Sequence, residues 1–120
     1  MRDDAESDAR ARLAAQEQLK HVKQGRRLQA PEEHAFWGVL LEELEQGFRR
    51  GLGEGSRAAR SSHWSAVAVI AQACGYGDNQ ALVVRQARAE LAPEGHAFWR
   101  VLADELKSAW YVGYYAGLRR

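Results

Sequence analysis

Ala92 to Leu106 reads APEGHAFWRVLADEL, and Ala30 to Leu44 reads APEEHAFWGVLLEEL. Aligned at an offset of 62, residues 22–51 and 84–113 share 15 identities in 30, where ordinary residue usage gives roughly two. The chain therefore carries an internal duplication. Each copy has a segment Val-Lys/Arg-Gln-Gly/Ala-Arg (Val22 to Arg26, Val84 to Arg88), a break at Ala-Pro, and a longer segment opening Pro-Glu-x-His-Ala-Phe-Trp. Phe36/Phe98, Leu40/Leu102 and Leu44/Leu106 recur every four residues, as on the buried side of a helix. Each copy then reads as a helical hairpin. A stacked solenoid needs three or more units, so two copies are expected to close one core between them about a pseudo-twofold axis.

Working outward, no sustained period-2 alternation and no two-residue hairpin turn is found, so the class is all-α. The spacing predicts about five helices. Ala11, Ala15, Leu19 and Val22 give the first an alanine-rich inner stripe, behind a charged segment 1–8 expected to fray. Pro31 fits the first position of the second helix, which should run to about Gly51. Gly51-Leu-Gly-Glu-Gly-Ser-Arg reads as a helix stop and linker. The alternative is that Gly47-Gly51-Gly55 and Ala109-Gly113-Gly117, each spaced by four, admit another backbone at close range. Ser61 or Ser62 can cap a short third helix ending near Gly75, apolar on every side between Trp64 and Cys74 and so expected at the centre. Gly75-Tyr-Gly-Asp-Asn reads as a turn, Asp78 or Asn79 as the cap of a fourth helix to about Leu91, and Pro93 as the start of a fifth. The expected architecture is one helical domain over residues 1–120: two duplicated hairpins joined by a short apolar central helix.

With 120 residues, 46% hydrophobic, the chain can bury one core. The net charge of +1 gives no long-range pull toward nucleic acid or an anionic membrane. The single Cys74, among alanines, excludes an internal disulfide and reads as an inert buried thiol in a reducing compartment. The acidic start is unlike a signal peptide and no apolar run approaches the roughly 18 residues of a membrane span, so a cytoplasmic protein is expected. Neither a phosphate-cradling loop nor a metal-ligand spacing occurs. His34 and His96 read as helix-start residues beside Trp37 and Trp99, and no catalytic, cofactor or metal residue is assigned. Arg26/Arg88 can pair with Glu32/Glu94 across the Ala-Pro corner.

The copies differ most at one end. Arg49, Arg50, Leu52, Gly53 and Glu54 correspond to Tyr111, Val112, Tyr114, Tyr115 and Ala116, and Phe48 to Trp110. Trp110, Tyr111, Tyr114 and Tyr115, with Gly113 and Gly117 between them, surround more of the last helix than one core face absorbs. Two covers are open: the apolar third helix of the same chain, or another protein, since Tyr and Trp dominate binding hot spots. On the second, these six residues form a protein interface. The chain is then a small regulatory interaction module of inhibitor or antiactivator type, not an enzyme, that self-associates as a homo-oligomer and acts on another protein by covering its surface.

The competing class is a nucleic-acid- or ribosome-associated factor. Arg10, Arg12, Lys20, Lys23, Arg26 and Arg27 along the first helix are the route by which nucleic acid could bind. Trp110-x-x-Gly-Tyr-x-x-Gly-x-Arg119 resembles the aromatic-glycine helix of the ribosome modulation factor family over about a dozen of the 120 residues. That resemblance implies ribosome binding and leaves the duplication unexplained. A membrane role needs a longer amphipathic face than this end provides.

Overall fold

A computed structural model describes residues 2–25, 30–31, 33–61 and 65–119, residues 2–4 by backbone only. It is all-α, with no strand among the described residues. Among the described residues four helices form, α1 (Arg2–Gln24), α2 (Ala35–Ala58), α3 (Ala66–Ala87) and α4 (Ala97–Leu118), with one 3-10 turn at Ala89–Leu91. Four rather than five form because α3 runs unbroken through Gly75-Tyr-Gly-Asp-Asn, where a turn was expected. Its cap is Ser65, whose hydroxyl accepts from Ala68 N at 3.2 Å. No short central helix joins the hairpins. Its residues are instead the first half of α3, and α3 is the counterpart of α1 at the same offset of 62. The segment expected to fray is helical from Arg2.

The Ala-Pro corners are built identically. Neither proline starts a helix, as the sequence had suggested; both lie in a tight turn just before one. His34 N donates to Pro31 O at 2.9 Å, and His96 N to Pro93 O at 2.9 Å. Each histidine is then the N-cap, its Nδ1 accepting from Phe36 N at 3.1 Å or Phe98 N at 3.0 Å. An imidazole nitrogen thus fills the place a Ser or Asp oxygen takes in most caps, satisfying one orphan helix donor. The indoles tie the turn down: Trp37 Nε1 donates to Pro31 O at 2.9 Å and Trp99 Nε1 to Pro93 O at 3.0 Å. Arg26 and Glu32 lie outside the described residues. Arg88 and Glu94 form no ion pair with each other.

The central contact is α2 against α4, with α1 packed on α2 and α3 on α4. Phe36 stacks on Phe98 near the helix starts, centroids 4.5 Å apart, and the two helices stay together to Gly55 and Gly117, so they run parallel. Leu40, Leu44, Leu102 and Leu106 are fully buried between them, each contributing roughly 1.5–3 kcal/mol by leaving water. Farther along, the glycines decide the spacing. A Cβ on Gly51 would overlap the carbonyl oxygen of Trp110, and one on Gly113 that of Phe48; Gly55 faces the carbonyl of Tyr114, and Gly117 that of Leu52. These pairs interchange under the offset of 62, as a pseudo-twofold axis along the helix pair requires. The close-approach reading of the small residues holds; the helix-stop reading does not, since α2 continues to Ala58.

The outer helices obey the same relation. Gln18 Nε2 donates to Glu105 Oε1 at 2.9 Å and to the Glu105 carbonyl at 2.8 Å, and Gln80 Nε2 to Glu43 Oε1 at 3.0 Å. Ala11, Ala15 and Val22 are the buried stripe of α1; Ala73, Gly77 and Val84 occupy the equivalent places on α3. Gly77 lets α3 approach α4, because a Cβ there would lie 2.7 Å from the Ala103 carbonyl oxygen.

Candidate protein-binding surface

The outward sides of the two hairpins share a backbone plan and differ in chemistry. On the first, Arg49 Nε meets Asp8 Oδ1 at 3.0 Å, Arg49 Nη2 meets Glu45 Oε1 at 3.2 Å, and Arg12 Nε lies 3.8 Å from the same oxygen. This network ties α1 to α2 with fully polar groups. At the offset of 62, Asp8, Arg49, Glu45 and Arg12 become Ile70, Tyr111, Lys107 and Cys74. Lys107 alone remains charged, and its Nζ is held by Asp78 at 3.0 Å with Asp104 at 3.9 Å. Its hydrogen bond to Asp78 is the main reason that its ammonium is held above the ordinary lysine range.

The aromatic residues of α4 divide between inside and outside. Trp110 and Tyr114 stack with centroids 5.2 Å apart and are 4% exposed, covered by Val69 and Ala73 of α3. Burial, and secondarily the charge of Glu54, raise the Tyr114 hydroxyl above its ordinary value. Gly113 and Gly117 are consumed by the α2 contact. These four are therefore covered by the chain's own packing, Trp110 and Tyr114 by α3, the first of the two covers considered for the last helix, and the two glycines by α2. Tyr111 faces outward and Tyr115 is half-buried beside it, centroids 4.8 Å apart, and a hydrogen bond between their side chains is the first cause of the raised pKa of Tyr115. Val112 is also exposed, on the side of α4 where Glu105 meets α1.

The α3 helix completes the surface, in a way the sequence reading missed. It is not a buried central helix: only the stripe Val69, Ala73, Gly77, Ala81 and Val84 is buried. Val67 is 78% and Ile70 50% exposed, and Leu82 and Val83 are also open to solvent. Cys74 is exposed, correcting the expectation of a buried thiol. Val67, Ile70 and Cys74, spaced by three and four, lie on one side of α3. Tyr115 and Leu118 pack against the Val69 and Trp110 cluster at the same end of the hairpin. Between Ser65 and Val84 the only charged residue is Asp78, whereas α1 carries Arg2, Asp3, Asp4, Glu6, Asp8, Arg10, Arg12, Glu17, Lys20 and Lys23. The signal that locates this face was available: aligning α1 with α3 sets Ala5, Asp8, Arg12, Lys20 and His21 against Val67, Ile70, Cys74, Leu82 and Val83.

His34 and His96 hold helix starts, and among the described residues no group of three or more His, Cys, Asp or Glu could hold a metal ion. No helix among them is long and apolar enough to cross a membrane. Comparison with protein-family models, with curated proteins and with solved structures gave no match.

Proposed function

We propose that the protein is a helical protein-binding module that regulates a partner by covering part of its surface, and that it also associates with itself. The observation that carries this reading is the contrast between the hairpins. The places of Asp8, Arg49 and Glu45 in the network on one side are held by Ile70, Tyr111 and Lys107 on the other, with exposed Val67 one turn from Ile70. The backbone plan tolerates charge at these places, so folding does not require apolar residues there. Apolar side chains left in water bring no stability, and contiguous exposed apolar patches rimmed by polar residues mark binding sites. Tyr111 and Tyr115 offer ring area with a polar tip, the side-chain chemistry over-represented among hot spots.

The test compares the wild-type chain with Val67→Asp as immobilised baits in cell extract. The expected outcome is a protein retained by the wild type at high salt, as apolar contact predicts, and lost from the variant. Identical retained sets would sink the reading. Retention that disappears for both baits as salt rises, with nucleic acid in the eluate, would favour the competing class.

A further inference from the structure

The face formed by α3 and the outward side of α4 has a property that narrows its occupant: it presents almost no net charge to itself. In a twofold contact every residue meets the same patch on the other copy, so a charged patch repels its twin, while an uncharged apolar one does not. The α1–α2 face instead presents the ion pairs of Arg12 and Arg49 with Asp8 and Glu45, which a twofold contact would have to strip of water. On the α3–α4 face Lys107 and Asp78 neutralise each other at 3.0 Å, Val67, Ile70, Cys74, Tyr111 and Tyr115 carry no charge, and Arg85, Arg100 and Glu94 lie at the other end of the two helices. The chain's net charge of +1 adds little long-range opposition between copies. At the apolar end a foreign partner selected by charge complementarity would find nothing to complement. The apolar centre from Val67 to Cys74 covers about 11 Å of α3; with the mixed-charge rim that includes Arg85, Glu94 and Arg100, the 22 residues of α3 make a face about 33 Å long, widened by a neighbouring helix axis about 9 Å away. That is the scale of the roughly 800 Å² per partner that stable interfaces bury.

We infer that the occupant of this face is a second copy of the chain, docked with its own α3–α4 face about a twofold axis. The inference rests on the functional reading above and names the surface and partner of its self-association. It assigns the outward sides of Ile70 and Tyr111 to the centre of the contact and leaves the α1–α2 faces of both copies on the outside.

The experiment transfers the first hairpin's chemistry to the second. Ile70→Asp with Tyr111→Arg places at these positions the residues that pair at 3.0 Å as Asp8 and Arg49, with Lys107 standing where Glu45 supports that pair in the first hairpin. Val67→Asp is the independent variant; at 78% exposure that side chain contributes little to the fold. Sedimentation equilibrium over a wide concentration range should give the wild type twice 13.4 kDa. Both variants should weaken the dimer at least about thirtyfold, the scale of losing one interface anchor, with melting of the monomer unchanged. Maleimide labelling of Cys74, exposed in the single chain, should slow as the wild type associates and stay fast in the variants. A wild type that remains at 13.4 kDa, or a dimer that both variants leave intact, overturns the inference. If the wild type is monomeric and Val67→Asp still loses a foreign protein from extract, the dimer falls and the functional reading stands. If it is monomeric and the extract experiment shows no difference, both fall.

Discussion

Single residues at the α2–α4 crossing carry consequences out of proportion to their size. Gly51 and Gly113 have no room for a methyl group, because the obstacle is a backbone carbonyl and not a movable side chain. Gly51→Ala or Gly113→Ala is expected to destabilise by about 3 kcal/mol or more, at or beyond the upper end of ordinary overpacking, read as a lowered urea midpoint. Gly53, two positions away on the same helix, meets nothing within 4 Å. Gly53→Ala should stabilise by up to about 1 kcal/mol, the helix-propensity difference alone. Equal effects at Gly51 and Gly53 would contradict the parallel interlock. Tyr76 supplies a second residue-scale test. Its ring edge lies 3.5 Å from where a Gly47 Cβ would sit, and burial, reinforced by Glu43 and opposed by Arg50, pushes its hydroxyl from near 10 up to about 12. The raised folded value means that its contribution is complete below pH 10 and is lost as pH rises from 10 through 12. Melting temperature should therefore fall over that window more steeply for the wild type than for Tyr76→Phe. Parallel curves would show that Tyr76 is not the group responsible.

At the scale of elements, the paired corners make the helix starts testable. His96→Ala removes the acceptor for Phe98 N and should cost about 1 kcal/mol, while His96→Asn, an effective N-cap residue, should recover most of it. An equal loss for both variants would place the role of His96 in ring packing and not in the cap. The corners were legible in sequence because Pro-Glu-x-His-Ala-Phe-Trp occurs twice, although the proline was assigned the helical position that falls four residues later. The all-α class, the inner stripe of α1 and the Phe/Leu core of α2 and α4 were legible through their periodicity. The middle of the chain was misread because an interior glycine looks alike whether it ends a helix or admits a neighbour. Its intrinsic cost of about 1 kcal/mol is outweighed by close packing at Gly51, Gly55 and Gly77 that only the tertiary arrangement reveals. The α1–α3 match was hidden for a related reason. Over 4–21 and 66–83 only Ala9/Ala71, Ala11/Ala73 and Gln18/Gln80 are identical, because outward positions diverged while the backbone did not. The reading of the aromatic end failed in the same place: with α3 taken as a short central helix, the sequence could not say that Trp110 and Tyr114 lie beneath it while Tyr111 stays outside with Tyr115 half-buried beside it.

For the whole molecule, the distribution of charge sets what it binds. Lys23 lies 5.1 Å over the Trp37 ring, and Arg12 and Arg49 share Glu45, so the basic residues of the first hairpin are partly engaged within the chain. With a net charge of +1, binding of RNA or duplex DNA at about 150 mM salt is expected to be weaker than micromolar and to vanish as salt rises. Submicromolar binding of a labelled RNA under those conditions would move the weight to a nucleic-acid function. The reciprocity of the two hairpins also bears on the order in which the chain must be connected. Because α2 and α4 run parallel, the end of each meets the start of its hairpin partner at the same pole of the molecule, away from the two Pro-His corners. The end of α2 and the start of α3 are related by the pseudo-twofold axis to the end of α4 and the start of α1. A circular permutant that begins at Ser65, runs to Arg119, crosses a seven-residue Gly/Ser linker to Arg2 and ends at Ser61 should thus fold to the same bundle, with a far-ultraviolet spectrum and oligomer mass matching the natural order. Sequence order would then be a historical property of this protein and not a physical one: either hairpin can be synthesised first, and neither serves as the template for the other.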